Sequence, residues 1–192
     1  MSLAHKPAAL ISAATRLPLL AVPLFLAVGW HAAGTRGVLW GLVCLFLTSG
    51  LSLVYLAYLA HSGKVRDPRS IPQAERVRPL RVIAALHAGV FLILSLLDAP
   101  TPLRATLLSY ALATLLLALL TPLTNLSLHA AGVSGAAVCV VYVFGVWGLL
   151  AAPLVPVVWW ARTVLSRHTQ GELALGVLVG GVAMWVAFQL IG

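Results

Sequence analysis

Leu126-Ser-Leu-His-Ala-Ala-Gly132 and Ala161-Arg-Thr-Val-Leu-Ser-Arg-His-Thr-Gln-Gly-Glu172 are the two stretches on which the reading of this chain turns. Both place imidazole, guanidinium or carboxylate groups at the ends of runs that are otherwise apolar. An unpaired charge inside hydrocarbon costs roughly 2.5 kcal/mol or more. Such groups therefore belong at helix ends, near head groups and near one another. Between the two stretches, residues 128–165 are too long for one crossing of a hydrocarbon core about 30 Å thick. A hairpin is predicted, with one helix over about His129–Val146 and a second over about Leu149–Leu165.

The composition carries this reading to the whole chain. Hydrophobic residues make up 61% and charged residues 8%, with a mean hydropathy of +1.05. A soluble domain carries about 25% charged residues, so this chain could not cover a water-facing surface. The expected fold is all-α, a polytopic membrane helical bundle of six to seven transmembrane helices. It forms one membrane-embedded domain over residues 1–192, with no soluble domain. The net charge of +8 would suggest nucleic acid in a soluble protein; here it points to basic loops beside anionic head groups, in a lipid bilayer and not on nucleic acid. Cys44 and Cys139 both fall in apolar runs and read as small buried hydrophobes, not as a disulfide or a metal site.

Residues 1–16 are mixed and lack the apolar core and small-residue cleavage site of a removable signal peptide. Spans are expected at about Leu17–Trp30, Gly37–Leu59, Leu80–Leu97, Leu103–Leu123, His129–Val146, Leu149–Leu165 and Glu172–Ile191. His31–Arg36 would connect the first two, and Asp98-Ala-Pro-Thr-Pro102 is a turn, because prolines at this spacing stop a helix. Asn125 and Ser127 offer capping oxygens for the fifth span. The loop 61–79 holds five of the twelve basic residues. With this layout Lys6, Arg16, Lys64, Arg66, Arg69, Arg76, Arg78, Arg81, Arg162 and Arg167 share one side and only Arg36 and Arg104 the other, which makes the first side cytoplasmic by the positive-inside rule.

All the polar motifs then fall on that side. His129 and His168 each start a helix, and a hairpin between them returns the chain to the same depth. Helix starts present free N–H groups and partial positive charge, so two of them with Arg162, Arg167 and arginines of the 61–79 loop would bind phosphate. One histidine could attack phosphorus while the other protonates the leaving oxygen. Glu172, one turn after His168, could orient that ring; Thr169-Gln-Gly-Glu172 equally fits a capping box, and the two roles are compatible. His5, His31, His61 and His87 are isolated and receive no role, His87 reading as a packing residue. No H-E-x-x-H or carboxylate cluster is present and the arginines repel cations, so neither a metal nor another cofactor is expected. Gly176-x-x-x-Gly180 and the small residues Ala130–Ala137 would let the last and fifth spans pack closely.

Arg162-x5-His168-x3-Glu172 resembles the third signature of the type-2 phosphatidic acid phosphatase superfamily, Ser-Arg-x5-His-x3-Asp, and Ser127-Leu-His129-Ala-Ala resembles its second, Pro-Ser-Gly-His. Order and spacing agree over about residues 120–190, in a manner similar to a divergent bacterial branch. The resemblance implies a metal-independent membrane lipid phosphatase in the plasma membrane of a bacterium. His168 would be the nucleophile, forming a phosphohistidine; Glu172 would orient it, His129 would protonate the leaving group and Arg162 would hold phosphate. Arg167, Ser127, Arg76 and Arg78 would complete the phosphate site. The implied substrate is a phosphorylated lipid, a polyprenyl phosphate or diphosphate ahead of phosphatidic acid. Ala161 and Glu172 stand where the superfamily has Ser and Asp, and Leu126 and Leu128 where it has Pro and Gly. The first signature, Lys-x6-Arg-Pro, is split here between Arg69-x6-Arg76 and Arg78-Pro79. These departures keep open a lipid-phosphate-binding protein without catalysis and a phospho- or head-group transferase, with a transporter further behind.

Overall fold

The computed structural model describes residues 4–67 and 71–192. Arg69 of the predicted basic loop, with Pro68 and Ser70, lies outside the described residues. The elements are α1 (His5–Ala14), α2 (Leu17–Leu45), α3 (Leu51–His61), α4 (Gln73–Leu96), α5 (Thr101–Leu120), α6 (Leu128–Phe144), α7 (Leu154–Val164) and α8 (Gln170–Ile191). Among the described residues there is no strand. Five helical stretches are long and apolar enough to cross a membrane: Leu17–His61, Gln73–Leu96, Thr101–Leu120, Leu128–Ala151 and Gln170–Ile191. Their outward faces carry Leu39, Val54, Leu92, Leu178 and Trp185, each more than half exposed. The chain is an integral membrane protein, because water would not tolerate that surface.

Two of the five stretches double back. In α2 the reversal occurs at Ala33 and Gly34, where Gly34 takes φ 54° and ψ −136°. Beyond it Gly37 lies against Gly29 and Gly41 against Phe25 so closely that a methyl group on any of the three glycines would collide with facing backbone. The predicted connection His31–Arg36 is therefore compressed into a single glycine turn. After α6 the same device recurs at Gly145, with φ 60° and ψ −135°, and Gly148 presses on Val140. The return leg starts as a 3₁₀ helix, Gly145–Ala151, and continues as α7. These turns lie side by side, the His31 and Phe144 rings being 5.0 Å apart.

Three further differences from expectation bear on the site. Residues 5–14, expected only as a mixed N-terminal segment, form a helix, α1. Helix α4 begins at Gln73, so Arg76 and Arg78 sit on its first turns and not in a loop; Pro79 is inside the helix, which neighbours in a membrane bundle accommodate. A π-helical turn, Phe46–Gly50, interrupts the second span before α3.

The packing that fixes the site is α6 on α8. Gly176 faces Ser127, Gly180 faces Ala131 and Gly135 faces Gly180, and the Ser134 hydroxyl donates to the Val177 carbonyl at 2.9 Å. The partners advance together along both helices, so α6 and α8 run parallel and start at the same end of the bundle. Lipid supplies no hydrophobic drive for such an interface; close backbone approach through small residues supplies dispersion and hydrogen bonding. His87 is buried in α4, 3.5 Å from the Ser52 hydroxyl and 3.4 Å from that of Thr114, where it bridges three helices as a packing residue.

Candidate functional site

At the shared end of the bundle the described residues enclose a cavity of ≈ 770 Å³. Its walls come from α1, the end of α3, the start of α4, the segment before α6, the end of α7 and the segment before α8. Its polar lining includes Arg16, Arg76, Arg162, Arg167, His129, His168 and Asp67. Its apolar lining includes Leu56, Pro79, Leu80, Ile83 and Leu128.

The turn after α7 sets Arg162 against His168. Ser166 adopts a left-handed conformation, φ 50°. The Arg167 amide donates to the Arg162 carbonyl and the Ser166 amide to that of Thr163, the Schellman pattern that satisfies the last carbonyls of a helix. Arg162 Nη2 then donates to His168 Nε2 at 3.2 Å. His168 Nδ1 lies 2.9 Å from the Asn125 carbonyl and 3.4 Å from Glu172 Oε2. A carbonyl only accepts, so the proton of neutral His168 is on Nδ1 and the Nε2 lone pair points at the guanidinium. Burial first, and then the Arg162 charge, hold His168 below the usual histidine value, against the Asn125 carbonyl and Glu172, which pull it up. The Nε2 lone pair of the neutral ring is thus held by the Arg162 guanidinium.

Glu172 caps α8 and also borders the His168 ring. Its Oε2 accepts from the Thr169 amide at 2.9 Å while the Glu172 amide donates to the Thr169 hydroxyl, a complete capping box at the start of α8. The same oxygen faces the His168 ring.

His129 enters from the first turn of α6. Its Nε2 donates to the Ser12 carbonyl of α1 at 3.0 Å, so the Nε2 proton is the one directed at the cavity side. Arg162 Nη1 donates to the Ser12 hydroxyl at 2.8 Å. Arg76 donates to the Leu126 carbonyl at 3.4 Å and to the Ile71 carbonyl at 3.0 Å, which ties α4 to the segment preceding His129. The Arg162 guanidinium experiences the charges of Arg167, Arg76 and Arg16. Among the described residues, Arg162 Nε and Asn125 Oδ1 are buried without a hydrogen-bond partner.

Of the sequence-predicted site residues, the fold brings His129, His168, Arg162, Arg167 and Arg76 to one cavity, with Glu172 behind His168. It does not bring two others. Ser127 is fully buried and its hydroxyl accepts from the Ala130 amide as the N-cap of α6; Arg78 is exposed and outside the cavity wall. Sequence reasoning missed Ser12 and Arg16, and assigned Asn125 only to capping. Ala-rich 8–14 ahead of Thr15-Arg16-Leu17-Pro18 was the available signal for a short helix that would carry Ser12 to the site. Among the described residues no three of His, Cys, Asp and Glu are grouped so that they could hold a metal ion. No family model, curated protein or solved structure matches this chain.

Proposed function

We propose that this protein is a membrane lipid phosphatase, related to the type-2 phosphatidic acid phosphatase superfamily, that works through a phosphohistidine. One observation carries the reading: the Nε2 lone pair of a neutral His168 lies against a half-buried guanidinium whose buried Nε–H is still unpartnered, in a cavity lined by three more arginines. An anion with several acceptor oxygens fits those donors. The apolar part of the lining suits the tail of a lipid, and a polyprenyl phosphate or diphosphate is the preferred class. The basic end of the bundle would face the cytoplasm, across a bacterial plasma membrane.

In the first step His168 Nε2 attacks phosphorus. The P–N bond forms as the P–O bond to the lipid breaks, and the leaving oxygen takes the Nε2 proton of His129, which the bound phosphate anion holds in its imidazolium form and which is left as neutral imidazole. Arg162, assisted by Arg167, Arg76 and Arg16, stabilises charge on the phosphoryl oxygens. In the second step water attacks phosphorus, the P–N electrons return to Nε2, and His129 takes the proton of the water. Glu172 stabilises the positive His168 ring of the intermediate. The test is phosphate release from a panel of lipid phosphates in detergent, with EDTA, by wild type and His168→Ala. Release by wild type alone is the expected result; equal release by the variant excludes the mechanism.

A lipid-phosphate-binding role without turnover is the second reading. It is favoured by Ser127, the hydroxyl of the second motif, being turned into the helix cap and absent from the cavity lining. Binding of the same lipids that survives His168→Ala, with no release by wild type, would select it.

A further inference from the structure

The contacts of Ser12 have a chemistry of their own. Ser12 is in the last turn of α1, where carbonyls lack intrahelical partners and the helix dipole is negative. Around it, the Ile11 carbonyl is taken by the Thr15 amide and hydroxyl and the Ala13 carbonyl by the Arg16 amide. The Ser12 carbonyl is left, and it accepts from His129 Nε2 at 3.0 Å. The Ser12 hydroxyl accepts from Arg162 Nη1 at 2.8 Å. Two oxygens of one residue, at the negative end of a helix, thus occupy one donor each of the two groups that flank the nucleophile. Helix α1 packs chiefly on α7 and joins the bundle through Thr15 and Arg16, the latter extended at φ −61° and ψ 140°.

We infer that α1 is a built-in blocker in which Ser12 presents its carbonyl and hydroxyl oxygens to His129 and Arg162 in place of two oxygens of a phosphoryl group. The inference rests on the phosphate reading of the cavity. A phosphorylated head group reaches His168 with both donors free only when α1 lifts about Thr15–Arg16. Ser12 then governs affinity from outside the reacting set, and Arg16, at the pivot and on the cavity wall, links the lifted helix to the bound anion.

The experiment measures binding of inorganic phosphate to the full chain in detergent by titration calorimetry, for wild type, Ser12→Ala and Ser12→Asp. Removing the hydroxyl frees Arg162, so Ser12→Ala is expected to bind about tenfold more tightly, the scale of one charge-assisted hydrogen bond. Ser12→Asp places a carboxylate on Arg162 and is expected to bind at least about tenfold more weakly. A second readout is independent of those substitutions. Ala8 is fully buried on α1, and Cys44 and Cys139 are buried; in Ala8→Cys the rate of maleimide labelling is expected to rise several-fold when phosphate is added. Equal affinities in all three proteins, weaker binding by Ser12→Ala, or phosphate binding without a change in labelling each overturn the blocker while leaving the phosphate site standing. No binding by any of the proteins overturns the phosphate reading and the blocker together.

Discussion

Gly180→Ala is a small substitution with a calculable cost. A methyl group on Gly180 would lie 2.7 Å from Ala131 Cα and 2.6 Å from its carbonyl carbon, and closer still to the oxygen. Carbon atoms attract best at about 3.5–4.0 Å, so α6 and α8 must separate by about 1 Å. The obstacle is helical backbone, which cannot swing aside as a side chain can. Overpacking of this kind costs about 1–3 kcal/mol, here toward the upper end, and the better helix propensity of Ala returns about 1 kcal/mol. Gly181→Ala is the matched control: its methyl group would meet only Val138 Cγ2, at 3.9 Å, so it gains the propensity term alone. The two variants should differ by about 3 kcal/mol, or roughly 6–12 °C in thermal midpoint for a chain of this length. Because α6 carries His129 and α8 follows His168, the same 1 Å moves the two rings apart, and under the proposed mechanism that misplacement costs about a hundredfold in rate. Thermal unfolding in detergent and phosphate release would be measured on both variants. Equal stability of Gly180→Ala and Gly181→Ala would refute the parallel α6–α8 register from which the site is built.

Glu172→Gln keeps an acceptor for the Thr169 amide, so the thermal midpoint should stay near wild type while phosphate release falls; Glu172→Ala should lose both, with about 1 kcal/mol of cap stability gone. Under the proposed mechanism His168 attacks as the neutral ring, and its value lies below the ordinary 6.5; the acid limb of kcat/KM should therefore fall below pH 6.5, and Glu172→Gln, by removing a charge that raises the value, should move that limb to still lower pH. Gly34→Ala and Gly145→Ala meet no neighbouring atom, yet both residues have positive φ with strongly negative ψ, a region closed to L side chains, so each should cost about 1–3 kcal/mol by thermal unfolding.

The spans were legible because apolar length is a coarse signal that survives local detail. The hairpin inside residues 128–165 could be inferred from length alone, and the parallel α6–α8 pair from small residues four apart. The turns were less legible. Gly34 sits in a polar-looking connection that reads as several residues, whereas backbone contact between Gly29 and Gly37 closes the reversal on one. Ser166 is left-handed without being Gly, so the Schellman turn that aims Arg162 at His168 has no sequence flag. The start of α4 was placed too late because Arg76, Arg78 and Pro79 read as loop; α5 and the segment before α6 supply carbonyl acceptors, from Thr121 to Gln73 and from Leu126 to Arg76, that hold those turns helical. For α1 the difficulty was different. Its ten residues have no span-length run, and what fixes it is tertiary: the negative end of the helix meets Arg162 and His129.

That docking also explains how a cluster of arginines is tolerated at rest. Two guanidiniums on the order of 10 Å apart repel by about 2 kcal/mol at an effective dielectric of 20, and Arg16, Arg76, Arg162 and Arg167 line one cavity. Carbonyls of Ile71 and Leu126 neutralise part of Arg76, and Ser12 with the α1 terminus offsets part of Arg162. Neither carries a full negative charge, and Arg162 Nε is left without any acceptor. Two carboxylates also act here: Asp67 lines the same cavity, and Glu172, held by its cap and beside His168, acts through its charge on Arg76. Four guanidiniums against two carboxylates still leave the cavity with an excess of positive charge. That excess favours an anion arriving from solution, and the dipoles that offset Arg162 at rest are displaced by such an anion more readily than a carboxylate paired to it would be.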